Sequence, residues 1–228
     1  MARGRVISTT CLISLRTKTE PYVINGVTYQ IHSLLDKNQF HDPEGEAERL
    51  GISSATWPLF GVVWPSGLLL ADIMSRQEIN DMKILELGCG LGLASLVVHA
   101  RGGNVLATDY HPMAAAFMQE NSQLNGLSPT PFQRCDWAEE NLALGKFDLI
   151  VGSDLLYEPN HPLLLSQFIS QHSTHTTQII IVDPKRRLQN KFRKQMELLG
   201  YCSESEQGTA KQLEEFGFKG TLFRFSKI

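Results

Sequence analysis

The chain has 228 residues, of which 42% are hydrophobic and 20% charged, with a formal net charge of −3. That length buries a substantial core and suits one globular α/β domain. The net negative charge excludes an overall field that gathers nucleic acid, and no apolar run approaches the ~20 residues that cross a bilayer.

The N-terminus is basic and rich in Ser and Thr, and its first acid is Glu20. A transit peptide has that composition. Val6 to Leu15 carries no clear cleavage signal, however, and reads as a strand. Tyr22 to Ile31 reads as a hairpin on an Asn25-Gly26 turn flanked by β-formers. Residues 36–56 are polar and irregular, with Asp-Pro-Glu-Gly at 42–45. Trp57 and Phe60 then come close to Trp64, which opens a helical pattern from Pro65 to Ile73.

Residues 84–87 form an apolar strand that holds one acid, Glu86, and runs into Gly88, Gly90 and Gly92. Glycine is needed where backbone turns sharply or presses against a ligand. A helical pattern (Leu93, Leu96, Val97) follows at once, and its free N–H groups would seat an anionic group. The dinucleotide fingerprint would place its third small residue at position 93, which is Leu93 here. Residues 104–109 form a second buried strand ending in Asp109. An acid about 20 residues after the first glycine is placed to accept from both hydroxyls of a ribose, or else to cap the next helix. Pro112 fits that helix's first turn and Gly126 its C-terminal cap, with Met113, Phe117 and Leu124 near one face.

A short strand at 131–134 ends in Cys135-Asp136-Trp137, where Trp137 is either a ligand neighbour or an ordinary half-buried aromatic. Phe147 to Asp154 is a continuous apolar run, as expected for a parallel strand covered on both faces. It delivers Ser153 and Asp154 to the carboxyl edge of the sheet, with Asp154 as site residue or simple turn residue. Tyr157 continues over that edge. A fifth strand (178–183), a helix (188–199, with Leu188, Phe192 and Met196 inward) and a last strand (221–226) complete the chain, the last in a reversed hairpin. Lys185, Arg186, Arg187, Lys191, Arg193 and Lys194 read either as a solvated helix face or as a hold for an acidic substrate or partner. Cations in a helix's first turn oppose its dipole, and such a broken rule often marks function. His172 and His175 lie in a polar loop without a third ligand, and His111 and His161 precede prolines as turn residues, so no metal is expected. Cys11, Cys89, Cys135 and Cys202 show no paired spacing and fit reduced thiols in the cytoplasm.

Glu86-x-Gly88-x-Gly90-x-Gly92 resembles the first motif of the seven-strand S-adenosylmethionine (SAM) methyltransferases. With Trp64, Asp136-Trp137 and Asp154-x-x-Tyr157, residues 57–200 resemble the methyltransferase-like protein-lysine methyltransferases, methyltransferase family 16. The resemblance implies a Rossmann-like, doubly wound, mostly parallel seven-stranded sheet. The N-terminal hairpin extension (1–56) would precede a catalytic core (57–228) in one methyltransferase domain. It implies SAM as cofactor, lined by Trp64, Glu86, Gly88, Cys89, Gly90, Gly92, Asp109, Asp136, Trp137 and Ser153, with Asp154 and Tyr157 beside the reactive methyl. One departure is Asn160, where the family often carries an acid; Glu158 is nearby but out of register. The expected activity is methyl transfer to a protein lysine, by a monomer with no membrane or nucleic-acid partner. The alternatives are a small-molecule or RNA methyltransferase and a non-catalytic module that binds a partner. Residues 154–157 lack the Asn-Pro-Pro-aromatic run of base amino-group methylation.

Overall fold

A computed structural model describes residues 15–139 and 144–227. The strand expected at 6–15 and Cys11 therefore lie outside the described residues, apart from Leu15. In chain order the elements are β1 (Thr17–Ile24), β2 (Val27–Leu34), the single turn α1 (Glu46–Arg49), a 3₁₀ turn (Trp57–Gly61), α2 (Pro65–Arg76), β3 (Lys83–Leu87), α3 (Leu93–Ala100) and β4 (Asn104–Asp109). They continue as α4 (Ala114–Leu124), β5 (Phe132–Arg134), β6 (Phe147–Ser153), α5 (His161–His172), β7 (Ser173–Asp183), α6 (Gln189–Leu198), β8 (Tyr201–Gln207), α7 (Ala210–Phe216) and β9 (Thr221–Lys227).

The main sheet has the order β5-β4-β3-β6-β7-β9-β8. Its first five strands are parallel, and β9 runs antiparallel to both β7 and β8. Side chains alternate faces along a strand, so each strand feeds two cores. Ile84, Leu149, Val151, Ile180 and Val182 join the core beneath α2, α3 and α4. Leu85, Leu87, Ile150, Ile179 and Ile181 join the other, with Phe168 of α5 and Phe192 and Met196 of α6. This is the mostly parallel, doubly wound sheet that the resemblance implies.

The hairpin forms a separate two-stranded sheet, turning at Asn25 (φ 48°) and Gly26 (φ 81°). Such a ribbon is marginal alone. Here α4 completes it: His32 N donates to Asn121 Oδ1 at 2.7 Å and Gln30 N to Asn125 Oδ1 at 2.8 Å. The two amides donate back to His32 O and Gln30 O. Residues four apart on one helix face thus stand in for a third strand.

Three expectations need correction. The supposed polar loop at 172–175 is the junction of α5 and β7: His172 ends the helix, buried, with Nδ1 2.9 Å from Gly145 O, and His175 lies on the strand. Lys185 to Arg187 precede α6, which begins at Gln189, so they do not sit in its first turn. The stretch Trp57–Arg76, with mean hydropathy 1.4, has the length and composition to cross a bilayer, contrary to the reading of the sequence. Its helical path is interrupted between the 3₁₀ turn and α2, and half of the stretch is buried inside the fold.

Candidate functional site

The carboxyl ends of β3, β4 and β6 converge on a cavity of about 560 Å³. Ligand sites in open α/β sheets lie at this edge, and the volume is that of a small-molecule site. All twelve residues expected at the site line it: Trp64, Glu86, Gly88, Cys89, Gly90, Gly92, Asp109, Asp136, Trp137 and Ser153, with Asp154 and Tyr157.

The loop after β3 has Gly88, Gly90 and Gly92 all in the left-handed region (φ 57°, 54° and 73°), which is why glycine recurs at alternate positions. A Cβ on Gly90 would also lie 2.7 Å from the backbone oxygen of Phe60. Gly90→Ala therefore combines a left-handed alanine with a backbone clash, and a loss of at least about 2 kcal/mol in urea unfolding is expected. A loss below about 0.5 kcal/mol would show that the loop relaxes freely.

Glu86 lies under this loop, 4% exposed. Its Oε2 accepts from Ser95 N at 2.8 Å and from Ser95 Oγ, capping the first turn of α3. Burial pushes its carboxyl up to about 7; the Ser95 bonds pull it down, and Asp109 raises it further. The folded state therefore favours protonated Glu86. Its stabilising contribution is complete below the unfolded carboxyl range and is lost as pH rises through about 7. Glu86→Gln mimics the protonated form. Between about pH 5 and 8.5 wild type should lose roughly 3 kcal/mol that the variant keeps, read as the difference of two urea series. Parallel pH profiles would contradict the assignment.

Asp109 serves both of its readings. Its Oδ2 accepts from Gly90 N at 2.7 Å, clasping the glycine loop, and its Oδ1 accepts from His111 N at 2.8 Å, fixing the turn into α4. Two oxygens offer about four acceptor positions, so capacity remains on the cavity side. Two neighbours were not expected at the site: Tyr110, which carries no sequence signal, and His111, read as a turn residue. Tyr110 lines the cavity and donates its hydroxyl to Leu50 O at 2.6 Å. His111 is buried and stacked on Phe60 with ring centroids 3.8 Å apart. Met113 N donates to its Nδ1, which leaves the proton on Nε2; that atom is buried without a partner among the described residues. Burial pushes His111 down to about 3, so it stays neutral. Asp136 accepts from Ala138 N at 2.8 Å, and half-buried Trp137 meets His161 edge-on at 5.2 Å.

At the other end, Asp154 holds a left-handed backbone (φ 57°) just past β6, and its N–H still donates to Val182 O of β7. Its carboxylate pairs with Arg186 Nε, and the two side chains are 10% and 33% exposed. The Arg186 guanidinium lies 5.7 Å from the Tyr157 ring centroid. Tyr157 is 42% exposed, but partial desolvation of its hydroxyl first and then the nearby acids raise that hydroxyl above its ordinary value, so it remains protonated. Of the basic run, which reads either as a solvated helix face or as a hold for an acidic substrate or partner, Arg186 is a member of this site. Of the aromatics Trp57, Phe60 and Tyr157, Phe60 and Tyr157 line the cavity. Trp57 is buried behind them, edge-on to Phe60 and His111. Asn160 and Glu158 both line the cavity, and Asn160 stands at the N-cap position of α5 without a side-chain capping bond. Among the described residues no group of three or more His, Cys, Asp or Glu could hold a metal ion.

A family model described as lysine methyltransferase matches residues 52–199. Over 136 residues the chain is 32% identical to the electron transfer flavoprotein beta subunit lysine methyltransferase of Xenopus laevis, covering 57% of this chain and 53% of that one. It is also 32% identical over 123 residues to EEF1A lysine methyltransferase 3 of Mus musculus, covering 51% and 50%. The chain spans about half the length of the curated relatives it matches. A T. thermophilus 16S rRNA methyltransferase (RsmC) in complex with AdoMet and guanosine superposes with a TM-score of 0.61 at 14% identity, covering 94% of this chain and 51% of that one. Magnesium protoporphyrin IX methyltransferase from Synechocystis PCC 6803 gives 0.55 at 17% identity, covering 71% and 78%. At such identities the solved structures show the fold alone, the Rossmann-like fold of SAM methyltransferases. The chain belongs to the lysine methyltransferase family.

Proposed function

We propose that the chain transfers the methyl group of SAM to a lysine amine of a protein. The observation that carries this is the one cavity that joins the glycine loop and Asp109 at one end to Asp154 and Tyr157 at the other. The residues present fit SAM. Among the described residues Leu93 N and Ala94 N, which open α3 on the cavity wall, have no partner and would receive a carboxylate. Asp109 has acceptor capacity left for a diol, and the buried Nε2 of His111 is a donor in search of an acceptor. Bound SAM supplies a methyl already activated by its sulfonium.

What remains for the protein is placement and a neutral amine. Placement of reacting groups can supply ~7–11 kcal/mol of a barrier. A free lysine has a pKa of ~10.4, so the site must favour the deprotonated form. Trp64 and Tyr157 offer aromatic surface that desolvates the amine and lowers its pKa. Asp154 alone would do the opposite. Its pairing with Arg186 offsets that charge, leaving a carboxylate oxygen that accepts an amine N–H and orients the nucleophile. The bonds from α4 to the hairpin support reading 1–228 as one methyltransferase domain. The free thiols Cys89, Cys135 and Cys202 support a cytoplasmic setting. With a net charge of −3, neither nucleic acid nor a membrane is the proposed partner.

Mass spectrometry of proteins incubated with the chain and SAM tests this reading. Lysine residues heavier by one or more methyl groups are expected. Methylation confined to arginine, histidine or chain termini would contradict it.

A further inference from the structure

A second cavity, of about 800 Å³, shares Trp64, Asp154, Tyr157 and Arg186 with the first. Those four side chains are therefore the wall between the two. The floor of the second cavity is apolar, with Leu156 and Phe218 both fully buried. Its rim is not. Asp154 and Arg186 neutralise each other, and the other charged residues lining it are Lys185, Arg187 and Lys219. All three are exposed, and none of their side chains makes an ion pair or hydrogen bond among the described residues. An excess of three positive charges at one opening is a local departure in a chain whose net charge is −3.

The rim is also held in place. Lys185 has a left-handed backbone (φ 63°), uncommon for a residue with a side chain. Beneath it the Oδ1 of fully buried Asp183 accepts from Arg186 N at 2.8 Å and fixes the turn, while its Oδ2 has no partner among the described residues. Lys219 is fixed by its neighbours. Gly217 closes α7 at φ 67°, and Gly220 lies so close to β7 that a Cβ there would come 2.1 Å from Asp183 O. Two separate segments, β7–α6 and α7–β9, thus bring their cations to one opening next to Asp154 and Tyr157.

We propose that this second cavity seats the polypeptide segment that carries the acceptor lysine, and that Lys185, Arg187 and Lys219 select segments with acidic side chains close to that lysine. The inference rests on the lysine methyltransferase reading and deepens it by naming a substrate class. The apolar floor favours a polypeptide over a polyphosphate backbone, since apolar side chains between the charged ones would be buried there. Exposed ion pairs are individually weak, so selection comes from three acting together and is screened by salt.

The test uses the full chain, methyl-labelled SAM and a dialysed, RNase-treated cell extract, compared with Lys185→Glu/Arg187→Glu/Lys219→Glu and with the corresponding triple Gln variant. The initial rate of protein labelling should fall at least about tenfold in the Glu variant, with SAM affinity measured separately and unchanged. Raising KCl should slow wild type and leave the Gln variant flat. Mapped methylation sites should carry Asp or Glu within a few residues of the modified lysine. Equal labelling by wild type and the Glu variant, or sites flanked by Lys and Arg, would overturn the inference while leaving the methyltransferase standing. Wild type that labels RNA in an untreated extract and no protein would overturn both.

Discussion

Asp154→Asn is expected to lower kcat for methyl transfer by at least about a hundredfold while leaving the SAM dissociation constant within about threefold. Asparagine is the informative replacement because it tolerates the left-handed backbone that Asp154 adopts, whereas alanine would add strain of about 1 kcal/mol. The substitution removes the charge-assisted acceptor for the amine. It also leaves the Arg186 guanidinium, 33% exposed, without its partner beside the same position. The two effects can be separated. If the carboxylate mattered only as a partner for Arg186, the double variant Asp154→Asn/Arg186→Gln would recover turnover. On the present account it stays as slow as the single variant, because the acceptor is still missing.

Asp109→Ala should fail at the opposite end of the cavity. Two hydrogen bonds from a diol to a carboxylate are together worth about 3–5 kcal/mol, so SAM affinity should fall by about 10²- to 10⁴-fold in calorimetry. The same substitution frees Gly90 N and His111 N, which should lower the unfolding midpoint as well. Titration to saturation well below the new midpoint distinguishes lost affinity from lost fold. With SAM saturating, the remaining kcat should be within about tenfold of wild type, a pattern opposite to that of Asp154→Asn. Identical defects in the two variants would show that the cavity does not divide between cofactor and acceptor.

The cofactor end was legible because its information is local. Strand, glycines at alternate positions and helix follow one another within 84–97, and each glycine is required by a left-handed φ. Asp109 follows at the distance of one helix and one strand. The acceptor end is another matter. Asp154 and Arg186 lie 32 positions apart and meet only because β6 and β7 are parallel neighbours, with Ser153 opposite Val182. Nothing in the basic run distinguishes Arg186 from Lys185 or Arg187; the turn fixed by Asp183 does. Whether Trp57 or Phe60 faces the cavity depends on the 3₁₀ turn, whose two aromatics both suit a core. Helix α5 carries a readable signal, with Pro162 in its first turn and Leu165, Phe168 and Ile169 on one face. Strand β8 carried little, since after buried Tyr201 the strand is polar, mostly exposed and held by its pairing with β9.

The central claim is methyl transfer from SAM to protein, with Asp154 at the acceptor end. The most direct test incubates the chain with methyl-labelled SAM and a cell extract, with Asp154→Asn as control, and separates the products into protein, RNA and small-molecule fractions. The account predicts label in discrete protein bands that the variant fails to produce. Label confined to RNA or small molecules, or protein bands of equal intensity with the variant, would contradict it.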